Sequence, residues 1–153
     1  MADQVRVTQE IVAPAERVWA MVTDLTRMGE WSPENEGVTW SRGATGPKPG
    51  ATFSGANRNG KKQWSTAGTI VEVEPTRLFT FRIKAAGFKV AEWRYEIESM
   101  ATGCRVTETW IDQRGTIAKA AGKAVSGVAD RATHNQATME QTLKRLKAAA
   151  ESV

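Results

Sequence analysis

The C-terminal part of the chain, from Ile117 onward, carries a helical pattern with two unlike halves. The second half is amphipathic. Along the helix as a whole, the stripe predicted to face the interior recurs at three- and four-residue steps: Val128, Ala132, Gln136, Met139, Leu143 and Leu146. The first half, residues 117–132, offers the interior only small side chains. A helix with so small an inner face leaves a void when it lies across a sheet.

Two glycines, Gly122 and Gly127, interrupt this first half, and each costs about 1 kcal/mol relative to alanine inside a helix. The segment is compatible with one continuous helix, N-capped by Thr116 and about 50 Å long at 1.5 Å per residue. It is equally compatible with a helix that begins near Val128 and follows a loop or a separate short helix. In either case the two glycines are candidate hinges of a mobile segment over a cavity mouth.

The rest of the chain predicts one strand, a short helical region and a series of strands. Residues 5–11 alternate as a strand with one buried face, and Pro14 suits the start of a helix that continues irregularly to Trp31. Six further strand-like runs lie between Gly37 and Asp112, with Asn59-Gly60 as the strongest hairpin signal. This order predicts an α+β protein with an antiparallel sheet of about seven strands, two short helices after the first strand and a long C-terminal helix.

Alternation along the strands assigns side chains to the two faces of the sheet. The aromatic residues Phe79, Phe81, Trp93 and Tyr95 share one face, and their neighbours on the other face are mostly charged. Opposite charges on adjacent strands are typical of a solvated face. In the run from Gln63 to Val73 the apolar residues switch from one face of the strand to the other, so we expect a bulge at Gly68.

Composition narrows the possible functions. The chain length suits one domain over residues 1–153, and no run is apolar enough for a signal peptide or a membrane span, so we expect a cytoplasmic protein without stable membrane insertion. One cysteine, Cys104, and one histidine, His134, argue against a metal site, and we expect no metal and no cofactor. The net charge of +4 is spread along the chain, which disfavours nucleic acid as a partner. We expect a monomer or weak dimer.

Several sequence motifs resemble one known superfamily. They are residues 11–19 (IVAPAERVW) followed by Thr23-Asp24 and Trp31-Ser32-Pro33, then residues 74–79 (EPTRLF), and residues 142–151 near the C-terminus. The chain resembles the START/Bet v 1-like (SRPBCC) superfamily, and within it the bacterial polyketide cyclase/dehydrase branch. The resemblance implies a helix-grip fold, in which a curved antiparallel sheet grips the terminal helix around a ligand cavity.

The residue pattern points to the same cavity. The aromatic sheet face must be covered, and the C-terminal helix is the element long enough to cover it. A cavity would lie beneath the small-residue half of that helix and would suit a flat or acyl-chain ligand. The predicted lining residues are Trp40, Phe53, Trp64, Thr66, Phe79, Phe81, Trp93, Tyr95, Glu108, Trp110, Val125 and Val128.

Glu108 is the most informative polar candidate, because it is in phase with Val106 and Trp110 and therefore points inward unless the strand end slips by one residue. A buried carboxyl without a partner shifts its pKa upward. Glu108 and Tyr95 are the candidate catalytic pair, if the protein is an enzyme. His134 lies nearly opposite Ala132 and Gln136 around the helix and is expected to face solvent. The pattern places no arginine inward, which is a departure from the cyclase pattern.

Three functions are compatible with these observations. The first is binding or carrying of a hydrophobic small molecule, such as a lipid or a polyketide-like compound, in the cavity. The second is a polyketide cyclase or dehydratase that uses inward acid and base groups. The third is an interaction module with a solid core and a functional surface. Whether the protein is an enzyme stays open at this stage.

Overall fold

A computed structural model describes residues 3–152. Its sheet consists of β1 (Gln4–Ile11), β2 (Asn35–Ser41), β3 (Thr52–Asn59), β4 (Lys62–Glu74), β5 (Leu78–Ala85), β6 (Phe88–Met100) and β7 (Gly103–Asp112). Its helices are α1 (Ala15–Thr23), a 3₁₀ helix (Leu25–Glu30), α2 (Thr116–Ser126) and α3 (Arg131–Glu151). The predicted α+β helix-grip fold is confirmed.

Strands β2 to β7 form an antiparallel meander, and β1 is added at the β7 edge of the sheet. The strand order is β1-β7-β6-β5-β4-β3-β2, so β1 pairs with the last strand instead of the next one in sequence. The predicted hairpin is present: Asn59 pairs with Lys62, and Gly60 at φ 62° takes the left-handed position of the turn. The concave face is covered by the helices, and α3 packs along β1 and β7.

The main core lies between α1, the second half of α3 and the sheet. Val18 of α1, Leu143 and Leu146 of α3, and Phe79 of β5 are all at most 1 % exposed. The predicted aromatic face is therefore inward, and the charged face is outward, where Arg82 donates to Glu92 at 3.1 Å between neighbouring strands.

The C-terminal segment is two helices and not one. Gly127 adopts φ 74° and its N–H bonds the carbonyl of Lys123, which closes α2. Asp130 then caps α3, because its side chain accepts from the Thr133 N–H. The N-cap of α2 is Gly115 and not Thr116, which is the first residue of the helix. The continuous helix was thus wrong, and the alternative of a separate short helix is correct.

The buried stripe of α3 keeps the predicted Met139, Leu143 and Leu146 and differs from the prediction at its start. Asn135 is 2 % exposed, whereas Gln136, which we expected inside, is exposed. The observed stripe is Asn135, Met139, Thr142, Leu143, Leu146 and Ala150.

The bulge in β4 lies at Val71 and not at Gly68. The pairing with β5 shifts between Ile70 and Glu72, so Val71 is the extra residue. Gly68 has a different role, because a Cβ there would lie 2.0 Å from Cζ of Phe53. The Phe53 ring packs directly on the bare backbone of Gly68, so this glycine marks a close approach and not a change of register.

Candidate functional site

A cavity of about 310 Å³ lies between the concave face of the sheet and the helices α2 and α3. Its walls are aromatic along β3 to β7, and its roof is formed by small residues of α2 and by the first half of α3. The roof residues of α2 are Ala118, Ala121, Gly122, Val125 and Ser126. This is the position expected from the small inner face of the segment.

Nine of the predicted cavity residues line this space: Phe53, Trp64, Thr66, Phe81, Trp93, Tyr95, Glu108, Trp110 and Val125. Three do not. The ring of Trp40 packs edge-on behind Phe53, with centroids 6.0 Å apart, and Phe79 is enclosed between Trp19 and Phe81. Val128 lies in the link between α2 and α3, where it is buried away from the cavity. Sharing a sheet face was therefore insufficient to place a side chain at the cavity.

The cavity opens between α2 and the turn that joins β5 to β6. Phe88 and Val125 both line the cavity and are 52 % and 47 % exposed, so they lie at its mouth. Ile117, two turns before Val125 on α2, is also largely exposed. A ligand entering here would meet apolar side chains first.

Glu108 and Tyr95 form a hydrogen-bonded pair inside the cavity wall. They are cross-strand neighbours on β7 and β6, and the Tyr95 hydroxyl donates to Glu108 Oε2 at 2.6 Å. Glu108 is 2 % exposed, and its other oxygen, Oε1, has no hydrogen-bond partner among the described residues.

Burial raises the pKa of Glu108 to about 8, and the hydrogen bond from Tyr95 opposes that rise. Burial together with the neighbouring carboxyl raises the pKa of Tyr95 well above its usual value. The Glu108 carboxyl is thus mostly protonated at pH 7. With Tyr95 donating to Oε2, a neutral Glu108 carries its proton on Oε1, the oxygen that has no partner among the described residues.

An inward arginine that the sequence did not reveal lies just beyond β7. Arg114 lines the cavity, and its guanidinium holds the carboxylate of Asp112 through two bonds of 2.9 Å. Burial raises the pKa of Asp112, but the bonds from Arg114 outweigh burial and keep that pKa below its usual value. The signal in the sequence was an acidic and a basic residue two positions apart at the end of the strand, Asp112 and Arg114, which can pair with each other.

A second polar cluster lies where α2 meets α3. Arg131 donates to Glu34 Oε1 at 2.8 Å, to Ser126 Oγ at 2.7 Å and to Asn135 Oδ1 at 3.3 Å. Its guanidinium also lies 5.9 Å from the ring of Trp64. One side chain therefore ties the end of α2 and the start of α3 to the strand side of the cavity.

His134 belongs to the edge of this cluster. Its side chain is 27 % exposed and its Nε2 lies 3.1 Å from Glu34 Oε2, so the expectation that it faces solvent was wrong. The buried face of α3 begins at Asn135, so the adjacent His134 lies at the edge of that face and within reach of Glu34. Cys104 is buried on the β1 side of the sheet, and burial raises the pKa of its thiol.

Sequence reasoning also missed the amides that line the cavity: Asn35 on β2, Asn57 on β3 and Asn135 on α3. Asn57 shares the inner face with Phe53 and Gly55, so strand alternation was the signal that could have found it. Asn35 precedes Gly37, where the strand-like runs of the sequence begin, so no periodicity marked it.

Among residues 3–152, no helix is both long and apolar enough to cross a membrane. Within the same range, no cluster of three or more His, Cys, Asp and Glu side chains is arranged to hold a metal ion.

The curved sheet, the gripping C-terminal helix and the enclosed cavity define a helix-grip protein. The sequence matches the family described as polyketide cyclase/dehydrase and lipid transport over residues 2–151. The chain belongs to this family, as its motifs predicted.

Solved structures agree with this assignment. A polyketide-cyclase-like protein of Corynebacterium glutamicum is 28 % identical with a TM-score of 0.65, and the match covers 96 % of this chain and 90 % of that chain. A protein of Chromobacterium violaceum is 15 % identical with a TM-score of 0.72 and 99 % coverage of both chains. The di-domain ARO/CYC StfQ of the steffimycin biosynthetic pathway is 11 % identical with a TM-score of 0.74, covering 99 % of this chain and 51 % of that chain. No curated protein matches the sequence.

Proposed function

We propose that this protein binds or carries a largely apolar small molecule in the cavity between the sheet and the helices α2 and α3. The observation that carries this proposal is the free oxygen of the Glu108 carboxyl, buried in an aromatic wall with no hydrogen-bond partner in residues 3–152. An unpaired buried polar group is costly, and a ligand that bonds to it removes that cost. The volume of about 310 Å³ is in the range of pockets that enclose small molecules.

The lining supports a flat and uncharged ligand. Trp64, Trp93 and Trp110 offer ring faces and edges, and the two arginines that line the cavity are already paired with carboxylates. Glu108 in its neutral form donates one hydrogen bond, which fits a carbonyl or hydroxyl oxygen. The alternative of a solid core with a functional surface is not supported, because the interior holds this cavity.

Catalysis as a cyclase or dehydratase is a second candidate, favoured by the pKa of Glu108 of about 8. An acid with a pKa near the working pH is suited to proton transfer. In such a reaction Glu108 would donate its proton to a substrate oxygen, and the Tyr95 hydroxyl would hold the resulting carboxylate. The ARO/CYC structural relative is compatible with this candidate.

The test begins with native mass spectrometry of the purified protein, which reports any ligand that co-purifies. The protein is then titrated with fatty acids and with aromatic polyketides while tryptophan fluorescence is recorded, since three tryptophans line the cavity. We expect saturable quenching or enhancement by at least one aromatic compound. Absence of both a co-purified mass and any fluorescence change would contradict the proposed function.

Two variants separate carrying from catalysis. A carrier with Glu108→Gln or Tyr95→Phe should change only its affinity, whereas an enzyme should lose turnover and keep binding. The comparison needs product analysis by mass spectrometry after incubation with each compound that binds.

We also infer that residues 1–153 act as one helix-grip domain in the cytoplasm, as a monomer or weak dimer that does not use nucleic acid. The even spread of Lys and Arg along the chain supports this view of its partners. Light scattering with size-exclusion chromatography measures the oligomeric state, and a dimer at nanomolar concentration would contradict it.

A further inference from the structure

Three of the four large apolar side chains that are exposed within residues 3–152 lie around the mouth of the cavity. They are Phe88 at 52 %, Ile117 at 72 % and Val125 at 47 %. The fourth, Val12, lies at the opposite end of β7, because the end of β1 pairs with the first residues of β7. Single exposed apolar residues are ordinary, but three around one opening indicate contact with another surface.

The mouth lies at one edge of the sheet. The β3–β4 turn, the β5–β6 turn and the end of β7 all meet at this edge, because neighbouring strands run antiparallel. Helix α2 crosses the edge from its start after β7 to Ser126, whose carbonyl accepts from Asn59 Nδ2 at the end of β3. Phe88, beside the β5–β6 turn, lines the same cavity as Val125 of α2. The mouth is therefore bordered by α2 and by these two turns.

Six lysines lie on or beside these bordering elements, two on each, and all six are exposed: Lys61 and Lys62, Lys84 and Lys89, Lys119 and Lys123. Within the part of the chain that the structure describes, none of them forms an ion pair. The three stretches of sequence that contain them hold no Asp or Glu: residues 37–71, 75–91 and 113–129. Asp112, which lies near Lys119, is already held by Arg114. Lys and Arg are spread along the sequence, but the fold collects unpaired positive charge around the mouth.

The combination of lysines with exposed apolar side chains favours a lipid surface as the partner. An anionic membrane offers phosphate headgroups to the lysines and, directly beneath them, hydrocarbon to side chains such as Phe88 and Ile117. A partner recognised by charge alone, such as a nucleic acid, would pair with the lysines and leave the aliphatic side chains without an apolar contact.

Going beyond the proposed binding function, we propose that the mouth of the cavity docks reversibly on an anionic lipid surface. The six lysines contact the headgroups, while Phe88, Ile117 and Val125 enter the boundary between headgroups and acyl chains. This orientation places the opening of the cavity against the lipid. An apolar ligand then passes between bilayer and cavity without crossing water.

Co-sedimentation of the full chain with lipid vesicles tests the docking. One set of vesicles consists of phosphatidylcholine, and the other of phosphatidylcholine mixed with phosphatidylserine. We expect binding to the mixed vesicles that weakens as salt is added, and at least about tenfold weaker binding to phosphatidylcholine alone.

A matched pair of charge variants locates the basic part of the surface. Lys119→Ala combined with Lys123→Ala should weaken binding to the mixed vesicles at least about tenfold, because each lysine near an anionic surface contributes about fivefold. Lys144→Ala combined with Arg145→Ala removes the same charge from exposed positions of α3. This control should change the affinity by less than about twofold, since its charges lie away from the docked face.

A second matched pair tests the apolar part. Ile117→Ser should weaken binding at least about threefold, because an apolar side chain that enters the lipid is replaced by a polar one. Val12→Ser, at a position that is 67 % exposed at the opposite end of β7, is the control and should bind as the parent does. Circular dichroism checks that each variant is folded.

Hydrogen exchange of the unaltered protein gives a measurement that needs no variant. With mixed vesicles present, we expect slower exchange at the β5–β6 turn and in α2, and no change in the second half of α3. Protection confined to other regions would overturn the proposal, as would absence of binding to the mixed vesicles.

Lysine variants that lose binding while Ile117→Ser binds as the parent does would also overturn it. That pattern identifies recognition of charge alone, as for a nucleic acid or an acidic protein surface. The vesicle experiments need no cavity ligand, and the cavity titrations need no vesicles, so failure of the docking and failure of the proposed binding function are separate results.

Discussion

The position and the protonation of Glu108 follow from the strand pattern, the fold and the cavity together. Alternation along β7 places it inward, the register places Tyr95 opposite, and the cavity leaves Oε1 free. Its raised pKa makes the stability of the protein depend on pH, because burial disfavours only the ionised form.

The sign of this dependence follows from the two pKa values, 4.5 for the ordinary carboxyl and about 8 in the folded protein. Below pH 4.5 the group is neutral in both the folded and unfolded chain, so its burial is best tolerated there. Between pH 4.5 and 8 the unfolded chain releases its proton first and the free energy of unfolding falls; above pH 8 this contribution levels off.

We therefore predict that Glu108→Gln becomes steadily more stable relative to the parent protein as pH rises from 4.5 to 8, with a slope that approaches the release of one proton on unfolding. Urea unfolding of both proteins across this range measures the difference. In Tyr95→Phe the hydrogen bond that opposes the rise is lost, so the upper end of the window should move to higher pH. A difference between Glu108→Gln and the parent that does not vary with pH would contradict the assignment.

Gly68 shows how a single residue is constrained by its neighbour. Gly68→Ala would drive a methyl group into the Phe53 ring, so we predict a loss of about 1–3 kcal/mol in the free energy of unfolding. Phe53→Leu in the same chain should recover part of this loss by making room. Gly46→Ala is the matched control and should be nearly neutral; an equal stability of Gly68→Ala and Gly46→Ala would show that the ring moves freely.

Among the helices, α2 stands apart from α3. Only Ser126 of α2 is buried, and this residue is held by Arg131 and by Asn59, whose Nδ2 donates to the Ser126 carbonyl at 2.8 Å. Gly127 ends α2 in the left-handed conformation, whereas Gly122 lies within the helix beside Arg114. A roof fixed mainly at one end is the arrangement expected of a lid.

We predict that Arg131→Met loosens α2 without unfolding the second half of α3. The change leaves Glu34 mostly buried and without its cation, for which a cost of up to about 3–5 kcal/mol is typical. Hydrogen exchange followed by mass spectrometry should show faster exchange in residues 116–130 and little change in 139–150. Arg27→Met, at an exposed ion pair with Glu30, is the control and should cost under about 1 kcal/mol.

In the whole molecule, the two halves of the C-terminal segment have different roles: α3 packs in the main core, and α2 covers the cavity. Leu143 is fully buried in the main core, so Leu143→Ala should cost about 2–5 kcal/mol. Val125 lies at the mouth of the cavity and is about half exposed, so Val125→Trp should preserve stability and weaken ligand binding at least severalfold. Val128→Trp would not serve this purpose, because Val128 does not line the cavity.

Urea unfolding and fluorescence titration of these two variants test the division. A Val125→Trp protein that binds ligands as the parent does would place the route of entry elsewhere. A Leu143→Ala protein of parental stability would contradict the assignment of the core.

Local sequence patterns alone were enough to predict the antiparallel sheet, its aromatic inner face, the inward Glu108 and the small-residue roof. These are local properties, because alternation and helical periodicity depend on the steric preferences of neighbouring residues. The three-dimensional packing was needed to show where α2 ends and which aromatic rings fill the core instead of lining the cavity. It was also needed to show that Arg114, Arg131 and the amides near Gly55 line the cavity. Such pairings join residues far apart in the chain, and their positions follow from sheet curvature, from the break at Gly127 and from packing such as Phe53 on Gly68, none of which periodicity encodes.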